Sequence, residues 1–175
     1  ITFCQNNDIE ISVIGNGSNL LIADEGFQGL IIKLGDYFEN VSFDGHRVHV
    51  GAASKLPVIA RMASAKGLTG FEWAVGVPGT IGGAIRMNAG GHGSDMSSSI
   101  ESVDLIEVST GSVKKLLLDE LLFGYRRSAI TQDHLVTQAV LKLNEGDSEE
   151  ALGAIKDIVR WRLENQPGGQ NAGSV

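Results

Sequence analysis

Short apolar runs rich in Val and Ile recur early in the chain, over residues 9–14, 20–23, 29–34, 40–43 and 47–51, and each closes on glycine, Asp or Asn. Runs of this length bounded by turn formers predict strands. Asp44-Gly45-His46 separates the last two, and Asp-Gly tolerates the positive φ of a tight primed turn, which predicts a hairpin. The period changes over residues 54–66, where Leu56, Ile59, Met62 and Ala63 fall on one face at three- and four-residue steps. With Ser54 as N-cap and Gly67 as the stop, this predicts an amphipathic helix. Residues 102–108 and 112–117 predict two strands joined around Ser109-Thr110-Gly111; a helical turn over 119–123 and a strand over 135–143 come next. Asp147 with Glu150 offers a capping-box start to a last helix with an apolar stripe of Ala151, Ile155, Ile158 and Leu163. Pro167 ends that helix by about residue 166. The order of elements predicts an α+β fold without repeats.

Composition narrows the function. The 175 residues, 42% apolar and 20% charged, suffice for one domain or two small ones. A net charge of −7 leaves no bulk basic surface, so neither nucleic acid nor an anionic membrane is an expected partner. Cys4 is the only cysteine and no apolar run approaches the ~20 residues of a bilayer span, so a cytoplasmic protein is expected. Cys4, at the head of an apolar strand, reads as a small core residue. Ile1 enters mid-pattern and Val175 closes a run of small residues, so both ends read as internal to a longer chain. His46, His49, His92 and His134 have no metal-ligand spacing, and no metal is expected.

The 23 glycines cluster at 15–17, 67–93 and 168–173, unlike those of a flexible linker. The first cluster, Gly15-Asn16-Gly17-Ser18-Asn19-Leu20, comes directly after a predicted strand, and its amides suit a diphosphate. Leu20 replaces the third glycine of a G-x-G-x-x-G fingerprint, and residues 20–23 predict a strand where a Rossmann helix would begin, so that fold is rejected. A plain turn without ligand is the alternative, and this loop alone leaves both open. The second cluster includes Gly76-Val77-Pro78-Gly79-Thr80-Ile81-Gly82-Gly83-Ala84 and Asn88-Ala89-Gly90-Gly91-His92-Gly93. As a mere turn it would leave many amides without partners, and a flavin nucleotide supplies acceptors at several points. Thr80 caps a predicted short helix over 81–88 whose N-terminus would face an anion. Phe71 and Trp73, just before the cluster, read first as core.

Together with Phe123-Gly124-Tyr125-Arg126-Arg127-Ser128 and the terminal Ala172-Gly173-Ser174-Val175, these clusters resemble, in the same order and at similar spacing, the UDP-N-acetylenolpyruvoylglucosamine reductase (MurB) family. The resemblance covers nearly the whole chain. It implies a two-subdomain FAD-binding module of the vanillyl-alcohol-oxidase (PCMH) type. Residues 1–68 would form the first subdomain, 69–166 the second, and 167–175 a linker into a third, substrate-closing domain that the chain lacks.

The resemblance also implies chemistry. NADPH would reduce noncovalently held FAD, a hydride would pass from flavin N5 to C3 of the enolpyruvyl ether of a UDP-sugar, and a proton would reach C2, giving UDP-N-acetylmuramate for peptidoglycan. Gly15, Asn16, Gly17, Ser18, Asn19, Leu20, Gly76, Val77, Pro78, Gly79, Thr80, Gly82, Gly83, Ala84, Asn88, Ala89 and Gly90 would hold the cofactor. Arg126 matches the arginine of the family's Tyr-Arg-x-Ser motif; its planar fork suits a carboxylate that gains charge. Tyr125 would line the same pocket, or pack beneath it. Ser174 matches the serine that donates the proton, and the third participant, a glutamate, would lie in the missing domain. His92 reads as loop structure near the cofactor. Two other readings stay open: an FAD-dependent oxidase of the same fold acting on another alcohol or sugar, and a non-catalytic nucleotide-binding module.

Overall fold

The computed structural model describes residues 1–167; Ser174 and nearly all of the predicted linker lie outside them. The chain opens with helix α1 (Thr2–Asn6), which buries Cys4, so this cysteine sits in a helix before the first strand. Strands β1 (Glu10–Ile14) and β2 (Gly29–Lys33) then pair in parallel, Ile11 opposite Leu30 and Val13 opposite Ile32. Parallel neighbours need a crossover, and residues 15–28 provide it. The strand predicted over 20–23 therefore does not form. Leu20, Leu21 and Ile22 are exposed, and no strand partners them among the described residues. An apolar run becomes a strand only where a neighbour satisfies its backbone.

Strands β3 (Val41–Asp44) and β4 (Arg47–Gly51) form the predicted hairpin, with Gly45 at φ +53°. Helix α2 (Leu56–Ala65) comes next, with Pro57 in its first turn, where a missing N–H costs nothing. Lys55, not Ser54, is its N-cap residue, and no side chain caps it. Ser54 is drawn inward instead: its carbonyl accepts from the Ile81 N–H, and its hydroxyl is buried without a partner among the described residues. Leu56, Ile59, Ala60 and Ala63 make the buried face, whereas Met62, expected on it, is exposed.

The glycine block holds β5 (Leu68–Thr69), a 3-10 turn over Glu72–Gly76, α3 (Ile81–Met87), and the ribbon of β6 (Gly90–Gly91) and β7 (Ser94–Asp95). Beyond it come β8 (Ile100–Glu107), β9 (Val113–Leu117), β10 (His134–Lys142), β11 (Asn144–Glu145) and α4 (Ser148–Asn165). Asp147 caps α4, its Oδ1 accepting from the Glu149 and Glu150 N–H groups at 2.8 and 3.0 Å. The helix ends at Gln166 as the proline predicts. Of its expected stripe, Ala151 and Ile155 are buried and Ile158 packs against the core, but Leu163 is 80% exposed.

The main sheet is antiparallel in the order β3-β4-β10-β8-β9. Strands from before and after residue 68 share it, so the division expected there cuts through one sheet. The central strands β10 and β8 are buried at Val103, Leu105, Ala139 and Leu141, and α3 packs on β10 and β4 through Ile81 and Ile85. Burying each such Leu or Ile stabilises the fold by roughly 1.5–3 kcal/mol. Phe71 and Trp73 join this core edge to face, ring centres 5.4 Å apart. The packing fixes α3, and with it the glycine loops on either side.

Candidate functional site

The two glycine clusters come together. A Cβ placed on Gly15 would lie 2.5 Å from Thr80 Oγ1, one on Gly79 would lie 3.2 Å from Ser18 Oγ, and Ser18 Oγ donates to the Pro78 carbonyl at 3.3 Å. Gly79 holds φ at +126°, which other residues adopt only under strain. The end of β1 thus lies against the turn before α3.

Between them is a cavity of about 390 Å³. Gly15 and Asn16 line it from one side and Thr80, Gly82 and Gly83 from another; Ala52, Ala53, Ile130 and Val136 add apolar wall. Sequence reasoning missed Lys33, Lys55, Arg86 and His134, which also line it with Asp36 and Glu39. The legible signal was Lys33-Leu34-Gly35-Asp36, a glycine turn closing a strand that runs parallel to β1. Among the described residues no carboxylate lies within ion-pair distance of Lys33, Lys55 or Arg86. Three unpaired cations beside a hollow suit an anionic ligand.

Which amides are open differs from expectation. The first turn of α3 is satisfied within the protein: Ile81 N–H donates to Ser54, Gly82 N–H to Ala52, and Gly83 N–H to Thr80 Oγ1 at 3.3 Å. The predicted cap is therefore present, but this helix start has no donor left for an anion. Among the described residues, the main-chain N–H groups of residues 15–19, 79 and 80 donate to no protein acceptor. The first loop is the richer donor set, and the glycine block is better satisfied than its composition suggests. A diphosphate fits such a row of amides backed by lysine and arginine.

Other predicted residues stand apart from this cavity. Leu20 projects into solvent, Ala84 is buried, and Val77 and Ala89 pack against the core. Gly76 sits beneath α4: its carbonyl accepts from Arg162 Nη1, and a Cβ there would meet His92 Nε2 at 3.1 Å. His92 and Gly93, at φ +52° and +85°, make the two-residue turn of the β6–β7 ribbon. The His92 ring stands edge-on to Trp161, centres 5.3 Å apart. No group of three or more His, Cys, Asp or Glu among the described residues is arranged to hold a metal.

A second hollow of about 250 Å³ is lined by Asn88, Gly90, Gly91, Gly93, Ser94, Asp95, Tyr125 and Arg126. Gly124 and Arg127 exchange main-chain hydrogen bonds of 3.0 and 3.2 Å, so Tyr125 and Arg126 form the tip of a tight turn. Arg126 takes φ +54° there, a position that ordinarily calls for glycine. Its guanidinium donates to the Asn88 and Gly90 carbonyls at 3.4 and 3.2 Å and lies over the exposed Tyr125 ring. A cation is thus held at the hollow by carbonyls instead of a carboxylate, and among the described residues no carboxylate lies within ion-pair distance of it.

Comparison with known proteins agrees with this geometry. Residues 1–117 match the FAD binding domain family. The chain is similar to UDP-N-acetylenolpyruvoylglucosamine reductases of Alkaliphilus oremlandii (38% identity over 168 residues, 95% of this chain and 55% of that protein) and Prochlorococcus marinus (41% over 179 residues, 100% and 61%). The solved Thermus caldophilus UDP-N-acetylenolpyruvylglucosamine reductase (MurB) superposes with a TM-score of 0.85 at 35% identity, covering 98% of this chain and 62% of that one. A Hydrogenophaga pseudoflava carbon monoxide dehydrogenase, with a TM-score of 0.59 at 14% identity over 81% of this chain and 55% of that one, shares the fold. The chain spans little more than half the length of the curated relatives it matches. With the loops, the cavity and these likenesses in hand, the chain belongs to the FAD binding domain family, in the form found in the MurB reductases.

Proposed function

We propose that the protein carrying this chain is a cytoplasmic NADPH-dependent reductase that converts UDP-N-acetylglucosamine enolpyruvate to UDP-N-acetylmuramate for peptidoglycan synthesis. The observation that carries the reading is the pairing of two hollows: one edged by open amides and unpaired cations, the other by an arginine at the tip of a strained turn. Open amides of residues 15–19, with Lys33, Lys55 and Arg86, would hold the cofactor's diphosphate, and Ile130 and Val136 its apolar portion. FAD held there would supply the hydride chemistry, linking NADPH oxidation to reduction of C3 of the enolpyruvyl ether.

The chain's own residues supply the rest. As C3 receives the hydride, negative charge spreads over C2 and its carboxylate, and a fixed cation there lowers the barrier. Arg126 has the planar fork for that carboxylate and needs only to exchange carbonyl partners for it. Ser174, outside the described residues, would deliver the proton to C2; a hydroxyl is so weak an acid that it serves only against a strongly basic centre. Gly90 has no room for a side chain, since a Cβ there would lie 2.5 Å from the Ser94 carbonyl oxygen, and its absence lets the ribbon close beside Arg126.

The purified full-length protein is expected to be yellow and to oxidise NADPH only when the enolpyruvyl UDP-sugar is present. Colourless protein would refute the reading, and peroxide formation from a hydroxyl substrate would replace it with an oxidase of the same fold. Arg126→Ala is expected to keep the flavin and lose turnover, and Ser174→Ala to allow flavin reduction by NADPH while sugar reduction stalls.

A further inference from the structure

We propose that Asn88 is a positioning residue, whose side chain fixes the Arg126 turn against the glycine block and so sets where the guanidinium stands. The proposal rests on the reading of Arg126 given above and adds the device that aims it.

Asn88 is 4% exposed and ends α3 in the left-handed conformation, φ 40° and ψ 55°. Every polar group it has is used inside the protein. Nδ2 donates to Asp95 Oδ2 and to the Gly124 carbonyl, both at 3.1 Å, and Oδ1 accepts from the Ser97 N–H at 3.0 Å. Its N–H donates to Ile85, and its carbonyl accepts from Arg126. Two acceptors face Nδ2 and a donor faces Oδ1, so the network allows one orientation of the amide. Asn88 therefore has no polar group spare for a cofactor, and the direct contact expected from sequence gives way to an architectural role.

Gly124 is the closing residue of the turn that carries Arg126, and Asp95 closes the ribbon that lines the same hollow. The Asp95 carboxylate is itself held by the Ser97 N–H and hydroxyl at 3.0 and 2.6 Å. One buried amide thus ties the end of α3, the ribbon and the arginine turn together. Arg126 at φ +54° is strained, and strain persists where surrounding contacts over-determine it. Those contacts are the Asn88 side chain on Gly124 and the Asn88 and Gly90 carbonyls on the guanidinium. No other residue type meets all the requirements. Glycine accepts the left-handed backbone but has no amide, aspartate fits but would set a carboxylate against Asp95 and the Gly124 carbonyl, and glutamine is one methylene too long.

The test uses the full-length protein with Asn88→Gly, Arg126→Ala, the double variant, Asn88→Asp, and Asn88→Asp combined with Asp95→Asn. Asn88→Gly keeps the backbone conformation, so flavin content is expected to match the parent while kcat falls by roughly a hundred-fold, the cost of misplacing a catalytic group by about 1 Å. In the Arg126→Ala background the same change is expected to cost less than about two-fold, because a positioning residue has nothing left to position. Adding Asp95→Asn is expected to restore part of the kcat lost in Asn88→Asp, since the amide it introduces can donate to the carboxylate across the pair, reversing the direction of the parental bond. Independently of activity, hydrogen–deuterium exchange over residues 123–128 is expected to speed up in Asn88→Gly. Full additivity with Arg126→Ala, loss of flavin from Asn88→Gly, or unchanged exchange would each overturn the proposal. A parent that oxidises no NADPH, or an Arg126→Ala protein at parental kcat, defeats the reading of function instead; the exchange result then still decides whether Asn88 holds the turn.

Discussion

The contact between Gly15 and Thr80 makes a quantitative prediction. Gly15 is outside the left-handed region of φ, so alanine is admissible to its backbone, but the new Cβ would lie 2.5 Å from Thr80 Oγ1. Carbon and oxygen do not approach that closely. Either Thr80 rotates and abandons the Gly83 N–H, or the loop over residues 15–19 moves off the glycine block. The first route costs the helix cap, about 1 kcal/mol, and residual overpacking adds about 1–2 kcal/mol. Thr80→Ala alone should cost about 1 kcal/mol through the cap. In the double variant the nearest Thr80 atom left is its Cβ at 3.5 Å, an ordinary contact, so Gly15→Ala should add almost nothing. Any gain from stiffening the unfolded chain, about 0.4–1 kcal/mol, enters both backgrounds and cancels. The cycle should therefore show about 2–3 kcal/mol of non-additivity in urea unfolding. Flavin titration by fluorescence should follow it: displaced amides forfeit charge-assisted bonds of about 1.5–3 kcal/mol, roughly 10- to 100-fold in Kd, and Thr80→Ala should restore part of that affinity. Additive costs in both measurements would mean that the two loops are not in contact and do not share a ligand.

Further consequences are open to direct measurement. Gly79→Ala forces a side chain into φ +126° and toward Ser18 and should lower stability by about 1–3 kcal/mol, read as a lower urea midpoint. If Lys55 and Arg86 face a diphosphate, Lys55→Ala and Arg86→Ala should weaken flavin binding and flatten its dependence on salt, which titrations at two ionic strengths would reveal. Glu107 is held below its ordinary pKa by its hydrogen bond from Lys114, then by that from Thr110. A depressed carboxylate pKa means stability fully present above the unfolded value and lost as pH falls through the folded one. Lys114→Ala should therefore raise the Glu107 pKa in an NMR titration and slightly lower stability above the ordinary carboxylate range, the difference from the parent fading as pH falls through the folded pKa; an unchanged pKa would refute the pairing.

Where a few neighbouring residues carry the physics, the sequence alone was decisive. Gly45 fixes the β3–β4 turn because only the positive-φ region closes it, Asp147 starts α4 by capping two amides, Pro167 ends it, and Thr80 caps α3. The two glycine clusters were legible for the same reason, as concentrations of backbone freedom that a packed core does not require. The tertiary structure decided whatever depended on a distant partner. The run over 20–23 is as apolar as a strand, but no neighbour among the described residues pairs with it; Leu163 and Met62 keep helical spacing, but among those residues Leu163 is left largely bare and Met62 only partly covered. β3 and β4 joined the sheet of β8–β10 across a boundary that the family resemblance had implied. Lys33, Lys55, Arg86 and His134 meet at one cavity from four separate segments, and Asn88 proved a junction when folding brought Asp95, Ser97 and Gly124 around its amide. Periodicity and turn chemistry are local, whereas pairing, covering and convergence are made by contacts between residues far apart in the chain.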